Sequence, residues 1–181
     1  MIVAAGTENQ RLAAHGNGPL QGVLAVIETL LLSVWLGSMM FFSFAVAPSA
    51  FAVLPTRELA GAMVTSTIGK VEVLGLVIGP LLILIRAASW RRRQSSRLSK
   101  GLHLLLILVM IAAAALSRFW ISSQMVSLRI AMGGHIDDVP LGDPLRMQFN
   151  NLHQYSVALM ATAMIAGVIV LYLTVRSSLN R

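Results

Sequence analysis

Arg86-Ala87-Ala88-Ser89-Trp90-Arg91-Arg92-Arg93-Gln94-Ser95-Ser96-Arg97-Leu98-Ser99-Lys100 carries six basic side chains and no acid. It parts the second from the third of four long apolar segments, and loops that collect Lys and Arg stay on the cytoplasmic side of a membrane. Reading outward from it, the segments run from about Leu20 to Val46, Val71 to Ala88, Leu102 to Ile121 and Leu152 to Val175. At 1.5 Å per residue each is long enough, or nearly so, for the roughly 30 Å hydrocarbon core. Composition agrees, since 56% apolar and 12% charged residues lie outside the soluble range.

An even number of crossings puts both termini and the basic loop on the same side. The inner side then holds nine basic groups and the outer side five, a bias that supports cytoplasmic termini in a plasma (inner) membrane. The net charge of +7 has its explanation in this loop, where Arg86 to Lys100 would meet anionic lipid headgroups. With no aromatic beyond Trp90 interleaved, no nucleic-acid partner is expected. Zero cysteines exclude a disulfide framework or thiolate metal site.

The expected fold is all-α: an integral membrane four-helix bundle over 20–176, preceded by a flexible lead-in over 1–19 and followed by a cytoplasmic tail over 177–181. Pro48 should kink or end the first span. Between Thr56 and Lys70, Leu59, Met63, Val64 and Ile68 fall at helical spacing, which suits an interfacial amphipathic helix after the first span or an extension of the next. Gly75 and Gly79, four apart, and the run Ala112 to Ala115 read as surfaces for close helix packing, as do Ala158, Thr162 and Ala166.

Ionisable groups within the spans are the most informative, because charge in hydrocarbon costs several kcal/mol unless paired or hydrated. Glu28 falls in the inner half of the bilayer, with His103 at similar depth. Arg118 near the outer end of the third span and His153 at the start of the fourth form a second layer, with Ser156 a turn from His153. The bland readings are snorkelling, helix capping and inter-helix hydrogen bonding. His135, Asp137, Asp138 and Asp143 on the last outer loop are weak candidates for a metal site, since their spacing matches no metal motif and a solvated acidic loop accounts for them. The ten methionines are scattered as core filler. No nucleotide loop, nucleophile elbow or zinc-protease pair is present, so the residues give no reason to expect an enzyme, and no cofactor is called for.

Trp35-Leu36-Gly37, Phe41-Phe42-Ser43-Phe44, Ala47-Pro48, Leu54-Pro55 and Ala60-Gly61, followed later by Arg118-Phe119-Trp120, Phe149, Leu152-His153 and Ser156, resemble the signature of the transmembrane protein 205-like domain family. The resemblance spans about Gly22 to Leu173 and implies a small four-helix membrane protein, with a eukaryotic relative associated with platinum-drug resistance. Members often carry a histidine seven residues before the tryptophan, and here that place is Glu28. A more distant likeness is to the copper-resistance D proteins and the haem-binding membrane protoporphyrinogen oxidases. Three functions follow in order of expectation. The first is transport of, or tolerance to, a metal cation or small solute by a module that could be a homo-oligomer. The second is a non-catalytic assembly or stability factor. The third is a haem-linked oxidoreductase using His103 and His153, whose placement near opposite faces argues against a shared iron.

Overall fold

The computed structural model describes residues 2–89, 97–134 and 136–179, with side chains described over 20–88, 98–134 and 136–176. Among the described residues there is no strand, and four helical rods make up the chain. The first is α1 (Ile2–Phe41), a π-helical turn at Phe42–Val46 and α2 (Ala47–Val53). The second is α3 (Arg57–Ser89). The third is α4 (Arg97–Leu116), a second π-helical turn at Ser117–Ile121 and α5 (Ser122–Ala131), and the fourth is α6 (Pro144–Leu179). Their apolar parts are Leu20–Val53, Arg57–Ala88, Leu98–Ala131 and Pro144–Arg176, each 32 to 34 residues. At the helical rise each is about 50 Å long, so the rods are long enough to cross a membrane and to extend beyond its hydrocarbon.

α1 packs on α3 and α6, and α4 packs on the same two, which makes a ring of antiparallel neighbours. In lipid, apolar side chains gain little by leaving the surface, so close approach must come from small residues. Trp35, only 1% exposed, shows how this is done. A Cβ at Gly75 would lie 2.5 Å from its indole nitrogen, and one at Gly79 would overlap Ile111. The expected close-packing surface is thus a seat for an indole ring and an isoleucine. Leu32, Leu36, Met39, Leu82, Ile107, Met110 and Val170 complete the core around it. On α6 the packed face is Ala163, Ala166, Gly167 and Val170, whereas Ala158 and Thr162 point outward, where Thr162 bonds back to the Ala158 carbonyl at 2.9 Å.

Several boundaries differ from the sequence expectation. The lead-in over 1–19 is helical from Ile2 and continuous with the apolar segment, although Gly16, Gly18 and Pro19 are poor helix formers. Pro48 does not end the first span. The preceding turn is widened, with the Ala47 N–H donating to the Phe42 carbonyl five residues back, and α2 continues to Val53. Residues 57–70 are not a separate interfacial helix but the opening of α3, whose first turn Thr56 caps by accepting the Leu59 N–H at 3.2 Å. No breaker stands between Lys70 and Val71. α5 closes at Gly133 and Gly134, with φ of 73° and 85°, where the Gly134 N–H reaches the Arg129 carbonyl at 3.0 Å. Asp143 then starts α6, accepting the Leu145 N–H at 2.8 Å, with Pro144 in the first helical position.

Candidate functional site

Polar groups gather at three levels along the bundle. At the end nearest the basic loop, the fully buried Glu28 of α1 sets Oε1 3.4 Å from Nη1 of Arg86 on α3 and 3.3 Å from Nε2 of His103 on α4. The same Nε2 lies 3.3 Å from the Oγ1 of Thr174 on α6. One side chain from each of the four long helices therefore meets at a single point. The depth-matched pair Glu28 and His103 comes together, and two members join it that the sequence reading did not include. Thr174 was one apolar-flanked threonine among several. The basic loop reads as a topology marker facing headgroups, but Arg86 at its start turns inward, its Nη1 3.4 Å from the buried Glu28 carboxylate. Trp90 to Ser96, the centre of the basic loop, lie outside the described residues.

Midway along α3 sits Glu72, near the middle of Arg57–Ala88 and only 4% exposed. Ser117, the first residue of the second wide turn, donates its hydroxyl to Glu72 Oε1 at 2.5 Å, while Oε2 is buried without a hydrogen-bond partner among the described residues. Beside it is a void of about 30 Å³ lined by Trp35, Met39, Ala113 and Leu159. Such a space has room for one water. In the sequence the apolar run rises only at Val71, which sets Glu72 at a membrane border. The Thr56 cap, read as the helix start, would have moved it to the centre.

No hydrogen bond or ion pair joins Arg118 to His153 among the described residues. Arg118, next on the wide turn after Ser117, sends its Nη1 to Gly69 of α3, 3.4 Å from where a Cβ would be. His153 and Ser156 instead line a cleft at the end away from the basic loop. This cleft has two connected parts. A mouth of about 430 Å³ is bordered by Arg57, Glu58, Asp137, Asp138 and Arg146, and a throat of about 410 Å³ by Phe42, Phe44, Met160 and Met164. Phe51, Met125, Arg129, Phe149 and His153 belong to both. At its wall the Ser43 hydroxyl donates to the Met160 sulfur at 3.2 Å, tying the first wide turn to α6.

The throat lies between two packed pairs of helices, α2 on α3 and α5 on α6. The wide turns stand at its inner edge, where Phe42 and Phe44 of the first line it and Ile121 of the second joins the core that α5 and α6 share with Leu128, Met132 and Leu152. The last loop covers the mouth, held by Arg146, which donates to the Val139 carbonyl and sits 3.5 Å from Asp137 Oδ1. Asp137 is thereby engaged and Asp143 is a helix cap, so the acidic set is partly consumed by structure. No three His, Asp or Glu side chains converge on a common point among the described residues, and His135 lies outside them. His103 touches Thr174, which stands 21 residues beyond His153 on α6, about 30 Å along the helix. The two histidines cannot share one iron.

Fold and site together define a multi-pass membrane protein of four apolar helices, clasped at one end and cleft at the other. The chain belongs to the family described as Domain of unknown function (DUF4149), whose model matches residues 30–133, more than half of its length. That match takes in the tryptophan seat, Glu72 and both wide turns, and ends before α6. No curated protein and no solved structure matches the chain.

Proposed function

We propose that this protein handles a small solute with a largely apolar body, binding it in the cleft at the end away from the basic loop and thereby moving it or conferring tolerance to it. The observation that carries the reading is the throat itself: about 410 Å³, walled by phenylalanine and methionine, with a few hydroxyls and one guanidinium. Ligand pockets have this size and this mixture of apolar wall and sparse polar groups. The metal-cation form of the reading has less behind it, because no Asp or Glu lines the throat. The resemblance to the transmembrane protein 205-like family is compatible with solute tolerance and adds no substrate.

The charge bias supports a plasma (inner) membrane location with the basic loop and both termini cytoplasmic, which would open the cleft to the outer face. A reporter fused after Arg181 should then be active only in the cytoplasm. A strain lacking the protein should become more sensitive to apolar amphiphilic solutes and stay unchanged toward divalent metals. The opposite pattern would overturn the proposal.

The assembly-factor reading has one observation in its favour, the four-helix meeting point at Glu28, which serves cohesion better than passage. Under the solute reading, Glu28→Gln lowers stability but leaves solute sensitivity intact in whatever protein remains folded.

A further inference from the structure

The throat has a charge of its own. Arg129, on the last turn of α5, stands with its guanidinium carbon 5.9 Å from the centre of the Phe149 ring, and its Nη2 is 3.2 Å from where a Cβ on Gly61 would be. It is therefore threaded between α3 and α6, half-buried, at the junction of mouth and throat. Two other arginines of the bundle have acids: Arg86 has Glu28, and Arg146 has Asp137. Arg129 has no carboxylate within ion-pair distance among the described residues, and none lines the throat it faces. The acids nearest the cleft, Glu58, Asp137 and Asp138, border the mouth, so on its throat side the guanidinium meets apolar walls and one aromatic face, which offsets only part of the cost of a charge there.

We infer that the cleft binds a single-chain amphiphile with one anionic headgroup, the head at Arg129 with His153 and Ser156, and the tail along Phe42, Met160 and Met164. The inference rests on the cleft reading above and names its ligand class. Guanidinium recognises carboxylate or phosphate oxygens through paired N–H donors, and here the planar group is already held by Phe149 and the open side of Gly61. The throat has acid-free walls around one permanent cation, which is complementary to a monoanion and repels a cationic head. Its volume and its flexible thioether lining fit one hydrocarbon chain of variable length. Phe44, Phe51 and Val157, all exposed on the flank of the bundle, leave a lateral way in from the bilayer.

The test uses the full chain, purified and placed in phosphatidylcholine nanodiscs, with two photoreactive alkyl probes of equal length, one ending in a carboxylate and one in an alcohol. Wild type should be labelled by both on the cleft walls, with the carboxylate favoured about tenfold or more, the worth of one charge-assisted hydrogen bond. Arg129→Gln should abolish that preference while alcohol labelling persists, and Arg129→Lys should restore part of it. Ala161→Trp, which fills the throat, should block both probes. If Ala161→Trp blocks both but Arg129→Gln leaves the carboxylate preference intact, the anionic head is wrong and the cleft stands. If Ala161→Trp changes neither, the cleft reading itself fails. Thermal unfolding of each variant confirms that folded protein was compared, and Arg129→Lys keeps the inference falsifiable should Arg129→Gln not fold. An anionic diacyl phospholipid that displaces the carboxylate probe better than a free single-chain acid would also overturn it.

Discussion

The two ends of this bundle are built on opposite principles. At the basic-loop end four helices converge on one carboxylate, and the core above it is filled by a tryptophan seated on glycines. At the far end α2 stays packed on α3 and α5 on α6, the latter through Leu128, Met132 and Leu152, but two linked spaces of about 430 and 410 Å³ lie between the pairs. The difference teaches that cohesion in lipid is concentrated where small residues and paired charges permit it, which leaves the other end free to be open. Stability and binding can then be damaged independently.

The largest test of that division is Glu28→Ala. It strands His103 and Arg86 without their acid, and breaking a buried pair costs about 3 kcal/mol. The unfolding midpoint in detergent should fall by several degrees or the protein should fail to accumulate. Gly75→Val comes next. Its added side chain meets the Trp35 indole, and overpacking of this kind costs about 2 kcal/mol, visible in the midpoint and in a changed Trp35 emission. Ser117→Ala removes the bond to Glu72 and should cost about 1 kcal/mol in the same assay. Smallest is Val157→Ala on the cleft flank, expected within about 0.5 kcal/mol of wild type. A cleft substitution as damaging as Glu28→Ala would erase the contrast between the ends.

Much of the fold could be read from composition and length. Four apolar segments bracketing Arg86 to Lys100 permit little but an antiparallel bundle, and counting residues from Leu20 put Glu28 at the depth of His103. The interior arrangement was less accessible. Glu72 was hidden by a span boundary drawn where hydropathy rises, although the helix begins fourteen residues earlier at a threonine cap. Arg118 and His153 read at one depth in the sequence, but depth alone carries no azimuth, and no hydrogen bond or ion pair joins them among the described residues. The cleft had no signal at all. Phe42, Phe44 and Phe51 read equally well as lipid-facing side chains, and a wide turn leaves no mark in hydrophobic periodicity beyond a one-residue slip.

That slip has a genetic corollary. A π-helical turn is an α-helix carrying one surplus residue, so the span holds one residue more at Ser117–Ile121 than a uniform helix would. Removing a single codon there, for instance that of Phe119, would return the rod to a uniform helix and rotate everything beyond by about 100°. Met125 and Arg129 would swing out of register together. In this protein the shape of the chamber is thus encoded less in which side chains line it than in how many residues precede them.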